Sequence, residues 1–175
     1  MAGLAALLSA PPALAASADI KGVRRPPRLR VGDTVGLIEP ASASDEPFQI
    51  QLVEEAIIAM GLKPKRAPHI LNKYGYLAGA DKDRASDVNA MFADSDVKAI
   101  FAVRGGWLLP FLDWNVIRAN PKLLTGFSDI TALHMAIAAK GGFVSLHGPN
   151  GGSAWGKSSW DSFRSIAFDG ATPLF

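Results

Sequence analysis

Lys98-Ala99-Ile100-Phe101-Ala102-Val103 runs without a break into Arg104-Gly105-Gly106. An apolar run this short that ends on two glycines reads as a strand buried on both faces, the pattern of a parallel sheet. Thr34-Val35-Gly36-Leu37-Ile38 upstream repeats it and ends at Pro40 and a Ser/Asp-rich stretch. Further strands are predicted near Lys65-Arg66-Ala67, over Lys122–Phe127 and over Phe143–His147. Helices are predicted between them. One runs over Glu46–Met60, with Phe48, Leu52, Ala56 and Met60 on its inward face and Gly61 ending it. Another covers Asp81–Phe92, with Ala85, Val88 and Phe92 inward, and others cover Trp114–Ala119, Asp129–Ala139 and Trp160–Phe168. Strand–helix alternation of this kind gives an α/β fold, a parallel sheet with helices on both faces and right-handed crossovers. Ligands of such sheets bind at the carboxyl ends of strands. That rule nominates the loops 40–45, 104–107 and 126–129.

The 175 residues suit one domain with tails, and 49% hydrophobic residues exclude a disordered chain. With no cysteine, disulfide scaffolds, thiolate metal sites and a thiol nucleophile are excluded. The formal charge of +2 conceals an asymmetry. Five basic residues and one acidic residue precede Val31, and from Val31 onward 13 basic residues face 15 acidic ones. Such a body lacks the basic face of a nucleic-acid binder, and residues 19–30 read as a solvated, basic, Pro-rich linker. Residues 1–18 are Ala- and Leu-rich, too short to span a bilayer and interrupted by Pro11 and Pro12. They read as a signal peptide with A-x-A-like ends at Ala13–Ala15 and Ala16–Ala18, although a basic start is missing. Export to the periplasm is therefore expected; an Ala-rich tail on a cytoplasmic protein is the other reading.

Three groups of residues carry chemistry. In Gly126-Phe127-Ser128-Asp129-Ile130-Thr131, Ser128 sits where a strand passes into a helix, as in a nucleophile elbow. Ser and Asp are also common N-caps, and Ile130 stands where that pattern has its second glycine. At Arg104-Gly105-Gly106-Trp107 the glycines allow close backbone approach and Arg104 can hold a carboxylate; a plain turn with a surface arginine is the alternative. His134, six residues after Ser128, points along a different bearing and is a poor base for it. His147-Gly148-Pro149 follows a strand. Neither metal-ligand spacing nor a phosphate loop is present, and no metal or cofactor is expected.

The order of these motifs, with Leu108-Leu109-Pro110, Ile117-Arg118-Ala119-Asn120-Pro121-Lys122, Gly75-Tyr76-Leu77-Ala78-Gly79 and Ala41-Ser42, resembles the N-terminal domain of the LD-carboxypeptidase (murein tetrapeptide carboxypeptidase) family of serine peptidases. The likeness covers about Leu29 to Phe168. It implies a flavodoxin-like or class I glutamine-amidotransferase-like domain over 31–169, with 170–175 opening an inter-domain linker. It implies Ser128 as nucleophile, the backbone N–H groups of Asp129 and Gly106 as oxyanion hole, and Arg104 and Trp107 against the substrate, a murein peptide. Two departures accompany it. The family usually has a Gly-small-x-Arg segment where Trp107 here meets Leu108. Its Glu and His come from a C-terminal domain, which the chain as given does not reach. The expectation is a nucleophile-bearing half that is inactive alone. A muropeptide-binding module and a truncated product, associating as a homodimer through uncovered apolar surface, are the rival readings.

Overall fold

The computed structural model describes residues 24–105 and 111–171. The expected signal peptide, Gly106, Trp107 and the last four residues lie outside them. Five strands form one parallel sheet: β1 (Thr34–Ile38), β2 (Lys63–Arg66), β3 (Val97–Ala102), β4 (Leu123–Gly126) and β5 (Leu146–His147), in the order β2-β1-β3-β4-β5. This is the flavodoxin-like order. The chain starts in the middle of the sheet, adds β2 on one side, then crosses back to add β3, β4 and β5 on the other. The helices are α1 (Pro47–Ala59), α2 (Asp81–Ala93), α3 (Trp114–Ala119), α4 (Ile130–Ala136) and α5 (Lys157–Ala167).

Burial on both sides explains the apolar strands. Val35, Leu37, Ile38, Ile100, Phe101 and Leu124 have no exposed surface. Neighbours along a strand point to opposite faces. Met91 of α2 therefore packs onto Gly36 on one side. On the other, Phe101, aligned with Leu37, meets Trp155 and Phe163 of the α5 region at ring-centre distances of 6.2 and 5.5 Å.

Several boundaries and one face differ from the sequence reading. The buried residues of α1 are Ile50, Val53 and Ile57, whereas Phe48 and Leu52 are 60% and 48% exposed. The helix is apolar nearly all round, so periodicity offered two stripes. The sheet takes the β-branched stripe. β2 begins two residues earlier than predicted, because its pairing with β1 starts at Lys63 against Thr34. After α4 the chain widens into a π-helical turn over Ile137–Gly141, closed by Gly142 in the left-handed region. β5 retains only two residues, with Phe143 instead bridging Arg24. α5 begins at Lys157, three residues before its expected start.

That bridge alters the picture of the basic stretch. The Arg24 guanidinium donates to the carbonyls of Arg118 (2.7 Å) and Gly141 (2.9 Å), and Leu29 is buried with its N–H on the Ala167 carbonyl (2.9 Å). The stretch is anchored on the body at Arg24 and Leu29, while most of residues 24–30 stay exposed to solvent.

Candidate active site

The sheet order reverses between β1 and β3, and there the loops after both strands diverge. They frame a cleft of about 610 Å³, together with the β4–α4 turn and the segment 150–154. Ser42, Ser44, Arg104, Gly105, Ser128 and Asp129 all line it. The three nominated loops thus meet in one place.

Ser128 is the only non-glycine residue with positive φ among the described residues, at φ 63°. The left-handed region costs a side-chain-bearing residue roughly 1–2 kcal/mol, so the surroundings hold it there. The Phe127 N–H donates to the buried Asn150 Oδ1 (2.9 Å), the Thr131 N–H to the Ser128 carbonyl (3.0 Å) and the Ile130 N–H to the Phe127 carbonyl (3.3 Å). Gly126 closes the turn: a Cβ there would stand 2.9 Å from both Ile130 Cγ2 and Asn150 Oδ1. Ile130 thus fills the space that a second glycine would leave, and the elbow forms without it. The turn presents Ser128 exposed at the cleft. The Asp129 N–H has no acceptor among the described residues. Gly105 lies against it; a Cβ at 105 would be 3.5 Å from that nitrogen. The glycine keeps an open donor beside the serine, the arrangement an oxyanion needs.

Replacing Ser128 separates strain from chemistry. Ser128→Gly relaxes the backbone and Ser128→Ala does not. The glycine variant is expected to be more stable than the alanine variant by about 1 kcal/mol in urea denaturation. Equal midpoints would mean that the turn carries no such strain.

Arg104 is about two-fifths exposed, donates from Nη1 to the Ala43 carbonyl (2.8 Å) and lies 3.6 Å from the Asp45 carboxylate. It is the only cationic side chain lining the cleft among the described residues. Beneath the cleft lies Glu39, 3% exposed, which accepts from the Ser44 N–H (2.9 Å) and the Ser44 hydroxyl. Burial raises its pKa; the Ser44 hydrogen bonds and the Arg104 charge oppose that rise.

No histidine lines the cleft among the described residues. His134 Nε2 faces the Gly126 carbonyl (2.9 Å), which can only accept, so Nε2 carries the proton and Nδ1 accepts from the Ser145 hydroxyl (2.7 Å). Burial depresses its pKa. Its role is to pin the end of β4. His147 lines a separate hollow beside α5. His69 is held by Asp87 (Nδ1 to Oδ1, 2.7 Å). Among the described residues no group of three or more His, Asp or Glu is placed to hold a metal ion, and no helix is long and apolar enough to cross a membrane.

Sequence reasoning missed Asn150, Glu39 and the wall at Gly151-Gly152. Each left a signal. Glu39 is a lone acid ending an apolar strand, and Asn150 precedes two glycines whose N–H groups reach the carbonyls of Ala102 and Val103.

Residues 35–148 match the family model described as the LD-carboxypeptidase N-terminal domain. A Bacillus subtilis relative, "Probable murein peptide carboxypeptidase", is 40% identical over 129 residues, 71% of this chain and 40% of its own length. The murein tetrapeptide carboxypeptidase of Pseudomonas aeruginosa is 35% identical over 120 residues, 66% of this chain and 38% of its own. Among solved structures, an MccF-like protein from Bacillus anthracis superposes with a TM-score of 0.77 at 29% identity, over 83% of this chain and 47% of that one. The chain therefore spans about two-fifths of the length of the curated relatives it matches.

Proposed function

The chain belongs to the LD-carboxypeptidase family, and from that premise we propose that it is the nucleophile-bearing part of a serine-type carboxypeptidase acting on murein peptides. The observation that carries the reading is Ser128, held at φ 63° in the cleft beside the open Asp129 N–H. In the proposed reaction the Ser128 hydroxyl attacks the carbonyl before the terminal D-residue. The oxyanion is received by the Asp129 N–H and, following the family resemblance, by that of Gly106. Arg104 takes the substrate's free carboxylate, for which a guanidinium offers a paired donor geometry. Collapse of the adduct breaks the C–N bond and expels the terminal D-amino acid, whose amine takes the proton that left Ser128, and water then releases the acyl group from Ser128.

Ser128 still needs a base and that base an orienting acid. The cleft supplies no histidine from the described residues, which supports taking the base from the further length that the relatives possess. The chain alone is then expected to bind a murein tetrapeptide and to release almost no D-alanine from it. Calorimetry and a D-alanine assay on the purified chain check both halves. Turnover that Ser128→Ala removes would show that the chain is catalytically sufficient. A flat titration would count against a murein ligand. Export of the protein, with residues 1–18 as its leader, is part of the same proposal; a shorter mature form in the periplasm is the expected blot.

A further inference from the structure

The Ala43–Ser44 peptide group is gripped at both ends. Its N–H donates to the Glu39 carboxylate (2.9 Å) and its carbonyl accepts from Arg104 Nη1 (2.8 Å). A second contact, from the Ser44 hydroxyl to the other Glu39 oxygen, stops the carboxylate from turning away. The loop is also fixed by the Ser42 N–H on the Gly105 carbonyl, the Ala43 N–H on that of Tyr76 and the Ala78 N–H on that of Ala41, and by side chains at its two ends: Arg84 on the Pro40 carbonyl, Lys73 on the Asp45 carbonyl, and Gln49 accepting from the Asp45 N–H. Among the described residues, only the 43–44 peptide connects a buried charge to the cleft's cation. An anion on the N–H side polarises the peptide so that its carbonyl is a stronger acceptor for the guanidinium.

We propose that Glu39 is a positioning residue for Arg104, acting through the single peptide group between Ala43 and Ser44. This rests on the reading of Arg104 as the anchor for the substrate's carboxylate. Glu39 touches no reacting atom. It fixes where the guanidinium stands, and its negative charge is what does so. The charges facing Glu39 are Arg104 and, with opposite effect, Asp45. Arg84, nearby, holds the Pro40 carbonyl (3.1 Å) and is paired with Asp81.

The pH consequence has a definite sign. Burial places the Glu39 titration above the ordinary carboxylate value of 4.5. As pH falls through that raised value, Glu39 takes up a proton and its grip on the peptide weakens. Arg104 is released before a ligand's own α-carboxylate, with a pKa near about 3.5, begins to titrate.

The test uses the chain as it is, with N-acetyl-D-alanine as probe and N-acetyl-D-alaninamide as control, followed by nitrogen-15 NMR. In the ligand-free protein, the Ser44 amide and the Arg104 Nε–H signals are expected to move together with one inflection above pH 4.5. Glu39→Gln, which keeps the shape and an acceptor, should remove that inflection. It should weaken carboxylate binding at neutral pH by about tenfold, and Glu39→Ala should weaken it further. A mere structural role would instead leave the pH profile of N-acetyl-D-alanine binding by Glu39→Gln like that of the wild type. Separate inflections at Ser44 and Arg104, or Glu39→Gln binding as the wild type does, would overturn the proposal. A shared inflection with no binding of N-acetyl-D-alanine would leave Glu39 positioning Arg104 and remove the carboxylate role from Arg104.

Discussion

Ser128→Ala is expected to lower D-alanine release from a murein tetrapeptide by at least about 10⁴-fold once the chain is joined to the further length of its Bacillus subtilis relative. Removing the attacking oxygen from a serine site leaves only positioning and oxyanion stabilisation, worth roughly 10³–10⁴ over water. The alanine keeps the turn at residue 128, so Arg104 and the Asp129 N–H stay in place and KM should change little. A fall confined to kcat is the signature of a group that acts in the chemical step. A loss below tenfold would mean that Ser128 is not the nucleophile and that its left-handed conformation serves the turn alone.

Phe101→Ala is expected to destabilise the chain by about 3–5 kcal/mol, read from the urea midpoint. That is a large share of the roughly 5–15 kcal/mol that holds a domain folded. Phe101 has no exposed surface and touches both Trp155 and Phe163, which also meet each other edge to face at 5.3 Å between ring centres. Loss of the ring opens a hole between the sheet and α5 that two aromatic side chains, Trp155 and Phe163, border. Trp155 directly follows the 150–154 wall of the cleft, so loosened packing should also lower affinity for the tetrapeptide. A shift below about 1 kcal/mol would show that the aromatic cluster collapses onto the gap.

The strands were the legible part of this fold, for a physical reason. A strand buried on both faces must be apolar throughout, so β1 and β3 stand out wherever the chain is read. A helix buried on one face needs only one apolar stripe, and α1 carries two. Phe48 and Leu52 look like core residues in sequence and stand largely exposed in the structure. The site divides the same way. The strand-end rule brought Ser42, Ser44, Arg104, Ser128 and Asp129 together, because topology alone places strand ends side by side. The backbone at Ser128 was not legible, because its φ is set by Asn150, 22 residues away, and by the tight contact of Gly126 with Ile130. Glu39 was missed because the sequence shows an acid but not the two donors of Ser44 that make its burial tolerable.

The central place of β1 has a consequence for how the chain is made. β1 leaves the ribosome first among the strands, yet one of its two edges pairs with β3, which begins about sixty residues later. At roughly 5–20 residues per second, Val35, Leu37 and Ile38 wait several seconds, exposed and half-paired, before Ile100 and Phe101 arrive. Parallel pairing over such a separation also carries a loop-closure cost that local hairpins avoid. During synthesis the β1 segment is therefore the part of the chain most open to aggregation, and that window closes when β3 docks.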